Sequence, residues 1–180
     1  MKRATHLLAS LLVLGGAAGA VVLLTAAARM DAAPPDGEKI YVSRCMSCHQ
    51  QDGQGMKGVF PPLAGTDWVV DDKGRLIRIV LQGMSGETEV QGVVYSGAMP
   101  AWGGFLSDDE TAALLTYIRG AWGNDADAVT PAEVAAVRKA TQDRKKPWTA
   151  AELKQEKNSG IPGAAAPFPN FLQKPDSTGR

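Results

Sequence analysis

The chain has 180 residues, an ordinary apolar content and a formal net charge of zero, which suits one globular domain with extensions. The charge is uneven: residues 34–124 carry 7 Lys/Arg against 11 Asp/Glu, and residues 125–180 carry 9 against 7. An acidic middle lacks the basic stripe that nucleic-acid binding needs, so no nucleic-acid partner is expected.

The first feature in chain order is a targeting segment. Lys2 and Arg3 precede an uncharged run of 22 residues, Leu7 to Ala28. As a helix the run would be roughly 33 Å long, enough to cross a bilayer. A basic start leaves the N-terminus in the cytoplasm and exports the rest. Residues 1–33 therefore read as a signal anchor or a signal peptide. Length favours an uncleaved anchor at residues 7–28, while Ala26-Ala27-Ala28 offers small residues for cleavage. Gly15 and Gly19 form a GxxxG pair, but chance explains it in a run so rich in Gly and Ala.

After a short linker, residues 34–124 read as a compact domain. Asp36 caps a first helix, Gly37 to Cys45, with Tyr41 on its inner face. Residues 50–66 hold Gly53, Gly55, Gly58, Pro61, Pro62 and Gly65, a loop composition. Arg75 to Gln82 is a short helix ended by Gly83. Residues 83–105, with Gly at 83, 86, 92, 97, 103 and 104, again read as loop. Ser107 and Glu110 form a capping box that opens a helix to about Arg119, with Leu114, Tyr117 and Ile118 on one face.

Residues 125–157 read as a helical extension, because Thr130…Glu133 and Thr149…Glu152 are two more capping boxes. Helices are expected from about Pro131 and Ala150. Residues 158–180, rich in Pro, Gly, Ala and Ser, read as a disordered tail. No convincing strand alternation is found, so the fold class expected is all-α. A domain of this size that is half loop is short of core. A large flat apolar cofactor would supply the missing surface.

Cys45-Met46-Ser47-Cys48-His49 is a CxxCH motif, the attachment pattern of c-type haem. Two thiols one helical turn apart can each add to one porphyrin vinyl group, and the next residue, His49, is held beneath the iron. A structural zinc site needs four protein ligands, whereas the exported part has two Cys and one His. A redox CxxC pair expects a βαβ context that is lacking here. One covalent haem c with its iron is the expected cofactor.

Around this motif the chain resembles the class I cytochrome c family over roughly residues 36–123. Gly37 and Tyr41 stand eight and four residues before Cys45, and Leu114 and Tyr117 match the last helix that packs on that pair in the family. Pro61-Pro62-Leu63-Ala64-Gly65 resembles the family's PxLxG segment. The resemblance implies that the Pro61 carbonyl accepts a hydrogen bond from His49, fixing the imidazole. Met99-Pro100 resembles the loop of the sixth ligand. Tyr95 to Asn124 is most similar to cytochrome subunits and fused domains of bacterial membrane dehydrogenases and respiratory complexes.

Iron in electron-transfer cytochromes is completed by Met or His. Met46 lies inside the attachment motif, Met56 is seven residues past His49, Met84 follows the short helix, and Met99 lies in a Gly-rich loop stiffened by Pro100. Met99 is the expected ligand, and Met84 reads better as core packing. Phe60, Trp68 and Trp102 are candidate pocket walls. Arg75 and Arg78 could pair with haem propionates, but a solvated helix face is the stronger reading. The acidic clusters Asp71-Asp72 and Asp108-Asp109-Glu110 could steer a basic partner, and the basic stretch Arg138 to Lys146 could dock on a partner or an anionic lipid, though a solvated helix suits it slightly better.

The function expected is electron transfer between redox proteins such as a dehydrogenase, an oxidase or another cytochrome. It would take place in the bacterial periplasm, from an anchored or a soluble carrier. No catalytic residue and no small-molecule substrate is expected. The alternatives are a haem-based redox or gas sensor, or a haem enzyme with an open iron site.

Overall fold

The computed structural model describes residues 33–155. Helix α1, Gly37–Arg44, is opened by Asp36, whose carboxylate accepts a bond from Lys39 N at 3.1 Å. It passes through Cys45 directly into a single turn, α2, Met46–His49. Helix α3, Asp67–Val70, is capped by Thr66 inside the stretch read as loop up to that residue. Helix α4, Lys73–Gln82, is capped by Asp72 and is buried from Gly74 to Leu81. Helix α5, Asp108–Gly120, carries the expected capping box of Ser107 and Glu110.

Helices α1 and α5 cross in close contact because Gly37 has no side chain. A Cβ there would lie 2.1 Å from the carbonyl oxygen of Ala113. Beside the crossing, the Tyr41 ring sits 5.7 Å from Tyr117 and 4.8 Å from Trp122. These are distances at which aromatic rings attract beyond their buried area. Leu114, Leu115 and Ile118 of α5 complete the core with Ile77, Val80 and Leu81 of α4. The face expected from Leu114 and Ile118 is thus the buried one.

The expectation of an all-α domain is corrected by a two-stranded antiparallel sheet. Strands β1, Met84–Val90, and β2, Val93–Met99, replace the loop expected over 83–105. The turn between them is the pair Gln91-Gly92, both at positive φ (50° and 75°), which is the two-residue hairpin geometry that matches the twist of the strands. The more buried face carries Met84, Thr88 and Val90 on β1 and Val93, Tyr95 and Met99 on β2, while Gly86 and Gly97, paired across the strands on that same face, are exposed. Two glycines opposed in mid-strand interrupt the side-chain pattern that would have shown a period of two.

The C-terminal part continues as helices α6, Pro131–Ala140, and α7, Ala150–Gln155, each starting where its box predicts. Val134 and Val137 of α6 enter the main core, and Leu153 of α7 joins a second cluster with Trp68, Ile79, Val90, Tyr95 and Trp148. Lys73 meets Glu133 at 3.2 Å. Arg138 bonds Asp108 at 2.7 Å and the carbonyls of Gly103 and Leu106 at 2.6 and 3.0 Å. Among the described residues no helix is long and apolar enough to cross a membrane. The anchor or signal peptide expected at 1–33 and the tail expected at 158–180 lie outside the described residues, apart from residue 33.

Candidate haem-attachment site

Cys45 ends α1 and Cys48 lies in α2, so the two thiols stand on one short helical path, and neither forms a disulfide. Burial, and then the neighbouring Cys48, push the Cys45 thiol up to about 11. It is therefore a neutral thiol at ordinary pH. His49 is buried, and its Nδ1 lies 2.9 Å from the carbonyl oxygen of Pro61. Burial lowers the imidazole's proton affinity, and the Pro61 bond only partly opposes this. The ring is held neutral, which is the form that binds metal. With Nδ1 used as donor to Pro61, Nε2 is the nitrogen left to coordinate.

The chain after His49 is folded back by backbone bonds. Gly55 N donates to His49 O at 3.0 Å, and Leu63 N and Ala64 N donate to Gly53 O at 2.7 and 3.1 Å. Gly53 stands at φ 67°, and a Cβ there would meet the Trp122 ring at 2.4 Å. Sequence reasoning missed Asn124 as the residue that secures this loop. Its Oδ1 accepts from Gly65 N at 2.7 Å, and its Nδ2 donates to the carbonyls of Leu63 and Ile118 at 3.1 and 2.8 Å. Its sequence signal was only its place four residues past α5, after Gly123.

Met99 ends β2, half-buried between the two clusters. Met84 lies directly across from it at the start of β1. Met46 packs against the main core, and Met56 is exposed. Trp102 is half-buried, with the Phe105 ring at 6.1 Å and the Arg44 guanidinium 5.5 Å from its ring centre. Trp68 is buried, and its Nε1 donates to Glu89 O at 3.0 Å. Phe60 is half-buried and pairs with Met56 in an isolated bridge.

The solvated face expected for Arg75 and Arg78 is corrected: they are 7% and 1% exposed. Arg75 donates to Asp67 O and lies 4.6 Å over the Trp68 ring. The guanidinium surrenders its water for an aromatic face and a carbonyl. The basic stretch 138–146 is also not simply solvated, because Arg138 and Arg144 are both used within the fold. Asp108 is likewise taken by Arg138, and Glu110 by its capping box, so that cluster is largely engaged within the chain.

Free paired thiols on one helical turn, followed by a buried neutral imidazole with one nitrogen tied to a carbonyl, are the donor set that covalent haem requires. They define a c-type haem-binding domain. The family model described as cytochrome c oxidase, cbb3-type, subunit III, matches residues 32–118. A cytochrome c-552 of Thermus thermophilus is 46% identical over 93 residues, covering 49% of this chain and 70% of that protein. A second cytochrome c-552 from the same species is 46% identical over 96 residues, which is 51% of this chain and 64% of the relative. The gluconate 2-dehydrogenase cytochrome c subunit of Pantoea cypripedii is 39% identical over 109 residues, 57% of this chain and 24% of its own length. The chain belongs to the c-type cytochrome family, which implies a covalently bound haem c with its iron.

Proposed function

We propose that the protein is a monohaem electron carrier, with one haem c attached through Cys45 and Cys48 and its iron ligated by His49 and Met99. The observation that carries this reading is the 2.9 Å contact between His49 Nδ1 and Pro61 O, which leaves one ring nitrogen for iron beside two unpaired thiols. The bound group supplies one-electron exchange between ferric and ferrous iron. The residues supply the rest. Pro61 holds the imidazole in one tautomer and orientation, which stiffens the ligand. Met99 offers a neutral thioether, which favours the ferrous state and raises the potential. With both positions taken, His49 and Met99 would leave no place for an exogenous ligand and would lower the reorganisation needed per electron.

Residues 34–124 form the cytochrome domain in this reading, 125–157 a helical extension and 158–180 a tail. The uncharged run 7–28 anchors an exported domain in the periplasm. The partners are redox proteins, because relatives include a cytochrome subunit of gluconate 2-dehydrogenase. The protein then works as a carrier or as a subunit of such a complex, with no catalytic residue of its own.

The test is the spectrum of the ferrous protein with and without carbon monoxide, run beside Met99→Ala and Met84→Ala. Wild type and Met84→Ala are expected to resist carbon monoxide and Met99→Ala to bind it. Rapid binding by the wild type would favour a sensor or an enzyme with an open iron site.

A further inference from the structure

The C-terminal segment reaches the strand pair that ends in Met99. Trp148 N donates to Gly83 O at 3.0 Å, and Ser85 N donates to Trp148 O at 2.8 Å. This parallel bridge is centred on Met84. In a ladder of this kind residues 83 and 85 use the outer edge of β1, and Met84 turns its own amide toward β2. Its partner there is Met99. Trp148 thus makes a one-residue third strand, two hydrogen-bonded steps from Met99.

The contact is close on the other side as well. Gly83 is at φ 78°, and a Cβ on it would lie 2.5 Å from Met99 O and 3.0 Å from Ala101 N. Whatever holds Gly83 therefore holds the backbone on both sides of Pro100. The Trp148 indole is buried in the cluster on which Met84 and Met99 both pack. Its Nε1 donates to Gln82 Oε1 at 3.2 Å, and Gln82 Nε2 donates to Thr141 Oγ1 at 2.6 Å. The Arg144 guanidinium covers the ring at 3.5 Å and bonds Glu152 at 2.8 Å.

We infer that Trp148 is a positioning residue for the sixth ligand: through Gly83 and Met84 it fixes the end of β2 that presents the Met99 thioether. This rests on the reading of Met99 as ligand. Isolated two-stranded hairpins are marginal in water and need a further strand or packed element. Trp148 supplies both, so its loss frees the hairpin end before it unfolds the domain.

The test uses the full-length holoprotein with Trp148→Ala, Trp148→Phe and Leu153→Ala. Leu153 is buried in the same cluster but makes no hydrogen bond to β1. The ferric sulfur-to-iron charge-transfer band and the far-ultraviolet circular dichroism are followed through a urea titration. Carbon monoxide association is measured without urea. Trp148→Ala is expected to lose the band at lower urea than the dichroism and to bind carbon monoxide at least tenfold faster than wild type. Trp148→Phe, which keeps a ring in the cluster, restores most of the band's midpoint. Leu153→Ala lowers both midpoints together and leaves carbon monoxide binding slow.

If Trp148→Ala loses band and dichroism together and excludes carbon monoxide like wild type, the positioning role is overturned. Should Trp148→Ala fail to fold, Trp148→Leu takes its place, with the same signals supporting or overturning the role. A wild type without the band overturns the Met99 ligand and this role together. A band abolished by Met99→Ala but not uncoupled by the Trp148 variants overturns only this role.

Discussion

The two sides of the proposed site are built on different sequence scales. The attachment side is a near-continuous stretch, Gly37 to Gly65, in which Cys45, Cys48, His49 and Pro61 lie within 17 residues. The Met99 side joins β1, β2 and Trp148, whose bridging partner Met84 stands 64 positions away. A short stretch loses little loop-closure entropy, so local motifs can specify its geometry. The second side must be assembled by packing that no single motif records.

The largest effect that sharpens this contrast is on the local side. Cys45→Ala combined with Cys48→Ala is expected to abolish covalent attachment, so that haem extracts fully into acidified organic solvent while the wild type keeps it. Next comes Gly37→Ala. A Cβ placed 2.1 Å from the Ala113 carbonyl oxygen forces α1 and α5 apart. The expected loss is about 3 kcal/mol, as for overpacking, read by urea denaturation. An unchanged midpoint would show that the helix crossing does not hold the attachment side.

Asn124→Ala probes a long-range hydrogen-bonded tie on that side. Three hydrogen bonds from a buried amide are removed, leaving Gly65 N and the Leu63 carbonyl to find other partners. The expected cost is about 2 kcal/mol, with hydrogen exchange rising first at Leu63 and Ala64. Exchange confined to α5 instead would break the claim that Asn124 secures the loop.

The smallest effect is on the extension and depends on pH. Burial raises the Glu133 carboxyl, but the Thr130 backbone bond and the Lys73 ammonium outweigh it and hold it below its ordinary range. A group with a lowered folded pKa adds stability that is complete above its unfolded value and is lost as pH falls through the folded value. Glu133→Gln is expected to flatten the acid limb of a urea-midpoint series below the ordinary carboxylate range, leaving the slope near pH 7 unchanged. A mutant with the same acid limb as wild type would show that this contact does not clasp α6 to α4.

Element by element, legibility followed the range of the interactions. Caps were readable because Asp36, Ser107, Thr130 and Thr149 act on amides within three residues. The hairpin was not, because Gly86 and Gly97 interrupt its alternation in mid-strand and Gln91-Gly92 is a less familiar turn pair than Asn-Gly. The surrounding pattern Val90-Gln91-Gly92-Val93 was the available signal. The two arginines of α4 were misread because residue type alone places Arg outside. Only the third dimension supplies the Trp68 ring and the Asp67 carbonyl over Arg75.

The attachment motif is legible in the sequence alone, since CxxCH places two thiols and an imidazole on about one turn of helix whatever surrounds them. The sequence also determined the family, through spacings that a short chain segment carries intact. The tertiary structure decided what stands behind those groups. It brought Asn124 to the Pro61 loop, set Met84 against Met99, and laid Trp148 along the far edge of β1. Such contacts form only when burial of the two apolar clusters offsets the entropy of closing long loops, and that balance belongs to the whole fold.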